Sequence, residues 1–102
     1  MVTLFCPAAT KDLLVNVPGF QPIGSEERMT FGSGGIAVTL VADPRGDAGR
    51  GGVTGRGRLP DELAAILRGP EGLGVNYGAQ NSGPHAAPGP EAARLFLRGC
   101  RD

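Results

Sequence analysis

Apolar residues along this chain gather in short runs separated by glycine- and proline-rich intervals, and the spacing within each run predicts its element. Val2 to Phe5 is an apolar run closed by Pro7, which predicts a first strand. From Lys11 to Val17, Leu13, Val15 and Val17 alternate against Leu14 and Asn16 before Pro18-Gly19, which predicts a second. Phe20 and Ile23 then sit as two apolar anchors in an irregular loop. The strongest strand character runs from Arg28 to Asp43. From Ile36 onward it is apolar on both faces, with Ile36, Val38, Leu40 and Ala42 on one side and Ala37, Thr39 and Val41 on the other. That pattern predicts a central strand covered on both faces. Gly32-Ser33-Gly34-Gly35 before it supplies a bulge or a sharp bend, and Asp43-Pro44-Arg45-Gly46 stops it with turn chemistry.

The period changes to helical twice. Residues 60–68 begin with Pro60 at the first helical position and Asp61 and Glu62 behind it, place Leu63, Ile66 and Leu67 on one stripe, and end at Gly69-Pro70. Residues 90–98 repeat the device, with Ala92, Leu95 and Phe96 as the expected buried stripe. Pro60–Gly69 and Pro90–Gly99 align without gaps, which fits an internal repeat, although shared capping rules on two short helices explain the match more simply. Leu73 to Tyr77 predicts a short strand inside an otherwise loop-like stretch to Pro90. The expected fold is α+β and mainly β: three to five strands in a small sheet, sandwich or barrel, two short helices at one side, and long glycine-rich loops.

Composition changes this picture in two ways. Glycine (18) and proline (9) make up about a quarter of 102 residues, a heavy entropic load on the one domain, 1–102, that this length supports. With 40% hydrophobic residues and zero formal net charge, however, the chain lacks the signature of disorder. Ten basic against ten acidic residues also speak against a partner held mainly by bulk charge. No run approaches a membrane span, and the opening residues lack a signal-peptide pattern, so the expected setting is a virion or the cytoplasm. Cys6 and Cys100 stand at opposite ends. Paired, they would close a loop worth about 4.7 kcal/mol in the chain-entropy model, whereas free thiols are the simpler expectation in a reducing compartment.

Two stretches carry candidate chemistry. Between Asp43 and Arg58, Arg45, Arg50, Arg56 and Arg58 interleave with six glycines. This segment reads as a solvated loop, as an arm that adds Gly52-Val53-Thr54 to a neighbouring sheet, or as a nucleic-acid contact without aromatic residues for stacking. The second is a polar cluster of Asn76, Gln80, Asn81, Ser82 and His85, whose amides and hydroxyl suit a partner's backbone, with the single tyrosine, Tyr77, beside it. Arg45, Arg50, Val53, Arg56, Arg58, Asn76, Tyr77, Gln80, Asn81 and His85 are therefore the expected partner-binding residues. One histidine, one tyrosine, one lysine and no tryptophan leave little for catalysis, no phosphate-cradling motif is present, and two cysteines with one histidine do not make a zinc site. The expectation is a non-enzymatic assembly subunit without cofactor or metal. Its partners would be copies of itself or a larger shell, as for a capsid-decorating or head or tail connector protein of a virion. A small regulator that binds nucleic acid or protein through residues 45–58 is the alternative.

Overall fold

The computed structural model describes residues 2–7, 10–23, 28–43 and 51–101. They form seven strands and two helices: β1 (Thr3–Phe5), β2 (Asp12–Val17), β3 (Arg28–Ser33), β4 (Ile36–Asp43), β5 (Val53–Arg58), α1 (Leu63–Leu67), β6 (Leu73–Tyr77), β7 (Gln80–His85) and α2 (Pro90–Arg101). All seven strands join one antiparallel sheet in the order β1-β2-β5-β4-β3-β6-β7, curled into a half-barrel. The mainly β expectation holds, with more strands than the three to five expected.

The extra strands come from stretches whose glycines resemble loop. Arg28 to Asp43 is not one strand but a hairpin, with Gly34-Gly35 as its two-residue turn between the paired Ser33 and Ile36. Gly34 takes φ +59, a conformation that a side chain resists. Residues 73–85 form a second hairpin, so the loop expected after Tyr77 is strand β7. Val53 to Arg58 pairs with β2 on one side and β4 on the other. Of the arm expected to add 52–54 to a neighbour, Val53 and Thr54 thus belong to the chain's own sheet, where Val53 pairs with Val17 and Thr54 lies between Asn16 and Asp43.

The core fills one face. Leu13, Val15 and Val17 of β2, Met29 and Phe31 of β3, Leu40 and Ala42 of β4, and Leu73, Val75 and Tyr77 of β6 all turn into it. Register makes this a packed array: Met29 lies between Leu40 and Tyr77, and Phe31 between Val38 and Val75. Gly55 and Gly57 explain the glycine–arginine alternation of β5. They face inward, where an added Cβ would stand 2.7 Å from Met29 Sδ and 2.8 Å from Leu40 Cδ2, while Arg56 and Arg58 point the other way. Strand β4 occupies the middle of the sheet but is covered on one face only, and Val41 on the other is 67% exposed.

Both helices lie on the core side. Leu63, Ile66 and Leu67 of α1 are buried, as their spacing predicts, but the helix starts at Leu63, so Pro60, Asp61 and Glu62 form the approach rather than the first turn. Helix α2 is longer than expected, and its buried line is Ala93 and Cys100 with Phe96 and Leu97 partly covered. The expected stripe is one position out of phase: Ala92 is exposed and Leu95 is 54% exposed. The disulfide agrees with this phase. Cys100 is bonded to Cys6, with Cα atoms 5.2 Å apart, and residues 93, 96 and 97 share the helical face of residue 100. The expectation of free thiols is overturned. No helix among the described residues is long and apolar enough to cross a membrane.

Candidate functional site: the uncovered face of the sheet

With both helices on one side, the opposite face of the sheet carries the side chains left for contact, except at Asn16 and Thr54, which are buried there and joined by a hydrogen bond of 3.0 Å from Asn16 Nδ2 to Thr54 Oγ1. Strand register arranges them in rows. Phe5, Leu14, Arg56, Val41 and Arg28 form one row across β1, β2, β5, β4 and β3. Thr39, Thr30, Asn76 and Asn81 form a polar row across β4, β3, β6 and β7. Ala37, Gly32 and Gly74 form a third, almost without side chains.

The third row floors a groove of about 440 Å³, walled by Thr30, Asn76 and Asn81 on one side and by Glu71 and Pro84 on another. A hollow of about 160 Å³ bounded by Arg28, Thr30, Thr39 and Asn76 adjoins it. Within the polar row, Asn76 Nδ2 donates to Asn81 Oδ1. The Glu71 carboxylate stands over the β3–β4 turn, where an added Cβ on Gly34 would meet Glu71 Oε2 at 2.9 Å. Glu71 is exposed and has no hydrogen-bond or ion-pair partner among the described residues.

The expected partner-binding residues separate into groups with different roles. Asn76 and Asn81 are exposed on the uncovered face. Arg56 and Arg58 share that face, and Arg56 Nη2 lies 2.8 Å from Asp12 Oδ2 in an ion pair. Tyr77 and Val53 are fully buried and face the core. The Tyr77 hydroxyl accepts the Ile23 N–H at 2.9 Å and donates to the Ile23 carbonyl at 3.0 Å, and its ring stacks on Phe20 at 5.9 Å. Gln80 does parallel work: its Oε1 accepts the Gln21 N–H at 2.7 Å and its Nε2 donates to the Gln21 carbonyl at 2.8 Å. These two side chains tie the anchored loop to the second hairpin, Tyr77 from within the core and Gln80 from a partly exposed position. His85 Nε2 lies 2.7 Å from Ser82 Oγ, a local pair on β7. Arg45 and Arg50 lie outside the described residues.

Thr30, Gly32, Glu71 and Gly74 are the groove residues that sequence reasoning missed. Only the register that sets β3 beside β6 brings them together, and the one legible sign is the outward phase of β3, with Thr30 and Gly32 alternating against Met29 and Phe31. No group of three or more histidine, cysteine, aspartate or glutamate side chains placed to hold a metal ion occurs among the described residues. Comparison of the chain with protein-family models, with curated proteins and with solved structures gives no match.

Proposed function

We propose that this protein is a non-enzymatic assembly subunit that makes protein contacts through the uncovered face of its sheet, with copies of itself or with a larger shell. A capsid-decorating or head or tail connector protein of a virion is the concrete form of this reading. The supporting observation is that face itself: β4, β3, β6 and β7 present threonine, asparagine, alanine and glycine positions in low relief, and the exposed Val41 stands in the adjoining row between Arg56 and Arg28. Short side chains lose little conformational entropy when a second surface covers them. The Cys6–Cys100 disulfide supports a setting outside a reducing cytosol, as on the exterior of a particle.

Residues 53–58 and 73–85 pair within the chain, so their amide protection does not report on assembly. Mass does. Light scattering of the purified chain is expected to give a multiple of 10.4 kDa, and Val41→Glu is expected to return it to 10.4 kDa with an unchanged melting temperature. A wild-type chain that stays at 10.4 kDa at every concentration overturns self-assembly.

The nucleic-acid reading draws on Arg28, Arg56 and Arg58, which share this face. Asp12 and Asp43 share it too, and Asp12 holds Arg56, which weakens the field that a phosphate backbone would meet. That reading requires affinity for nucleic acid that falls steeply with salt and with Arg50, Arg56 and Arg58 replaced by glutamine.

A further inference from the structure

We propose that the glycine-floored groove beside the polar row binds an extended peptide segment carrying a lysine or arginine among small residues. The proposal rests on the protein-docking role above and names what one end of that surface receives.

Gly74 stands apart from the other glycines of the sheet. The fold requires several of them: a Cβ on Gly32 would stand 2.2 Å from the Ile36 carbonyl oxygen. At Gly74, by contrast, φ lies outside the left-handed range, and a Cβ would meet only the Ser82 carbonyl oxygen, at 3.8 Å. A glycine inside a strand lowers stability; here the β6–β7 register shifts between Leu73 and Val75, an irregularity that a glycine suits, but neither a positive φ nor a close atom forbids a side chain at this position. What its missing side chain does is keep the groove floor bare. With Gly32 and Ala37 beside it in register, the floor is low enough for another main chain to lie against it.

The walls define the ligand's chemistry. The Asn76–Asn81 bond uses one amide hydrogen and one carbonyl oxygen, which leaves the Asn76 Oδ1 acceptor and the Asn81 Nδ2 donor outside that bond on two residues that line the groove. An acceptor and a donor are what a peptide group engages. Glu71 adds an unpaired, exposed carboxylate, and no lysine or arginine lines the groove to neutralise it. A cationic side chain on the ligand matches that charge. No aromatic ring lines the groove either, so it lacks the stacking platform that suits a sugar face.

The test is a titration of the isotope-labelled chain followed by amide chemical shifts. The probe is a capped pentapeptide of one arginine flanked by two glycines on each side; comparators are the same peptide with glutamate for arginine and a neutral tetrasaccharide. The arginine peptide is expected to shift amides of residues 32, 37, 71–76 and 81–83 selectively, and to bind about fivefold more tightly than its glutamate counterpart. Gly74→Leu is expected to weaken binding on the order of tenfold by filling the floor. Gly74→Ala, which the site accommodates, checks that the loss scales with side-chain size while the melting temperature holds. Glu71→Gln is expected to abolish the preference for arginine. Unshifted groove amides, equal binding of both peptides, or shifts from the tetrasaccharide alone overturn the proposal. If light scattering finds the expected oligomer while the peptide fails, the groove proposal falls and the assembly reading stands. A monomer that binds the peptide leaves the groove proposal standing and removes self-assembly.

Discussion

Glycines in this molecule serve opposite ends, and the atoms around each tell which. At Gly32 a Cβ would overlap the Ile36 carbonyl and the Ala37 backbone, at 2.2 and 2.7 Å, and backbone cannot rotate away. Gly32→Ala is therefore expected to lower stability by about 1–3 kcal/mol or more, read by denaturant unfolding, while Gly74→Ala leaves it unchanged or raises it. Equal losses at the two sites would remove the reason for regarding Gly74 as space kept open. Tyr77 is the other decisive residue. Its hydroxyl satisfies both the N–H and the carbonyl of Ile23, so Tyr77→Phe leaves two part-buried backbone groups unpaired. The expected cost is about 1–3 kcal/mol with faster amide exchange at Ile23, and a change below that range would mean that water replaces the hydroxyl freely. A lone tyrosine beside a polar cluster reads as a contact residue from sequence, yet it shares the period-two phase of Leu73 and Val75 and turns inward with them onto Phe20.

Among the elements, β5 and α2 depart furthest from expectation, each for a physical reason. The alternation Gly55-Arg56-Gly57-Arg58 has period two, but glycine carries no hydrophobic signal, so the strand reads as loop until Leu40 and Met29 are seen packed over it. Gly55→Val is expected to cost about 1–3 kcal/mol by overpacking against Met29 and Leu40, read by denaturant unfolding. Helix α2 shows the reverse case, a strong signal with the wrong phase. Its apolar residues at 92, 93, 95, 96 and 97 allow more than one buried stripe, and the bond from Cys100 agrees with the one through Ala93. Cys100→Ser is expected to lower stability by up to about 4.7 kcal/mol, the chain-entropy value for a loop of this length. Amide exchange should accelerate first in α2, whose helical partner α1 is only five residues long. Uniform acceleration across the sheet would instead mean that the disulfide stabilises the whole fold as one unit.

On the scale of the whole molecule, one curled sheet separates two environments: a core beneath two helices, and a polar, low-relief face on which the groove lies. The sequence by itself determined the inward-facing residues of β2, the stripe of α1, the presence of two helices and the mainly β character. Each of these rests on apolar periodicity or on proline and glycine at element ends, which are local properties. Only the tertiary structure decided that the glycine-rich stretches at 53–58 and 80–85 are strands, since their pairing partners lie elsewhere in the chain. It also decided that Cys6 meets Cys100 and that Gly32, Gly74, Asn76 and Asn81 share one surface. Periodicity records which way a side chain points within its own strand; which strand lies beside it is set by long-range register, and the groove is a product of register.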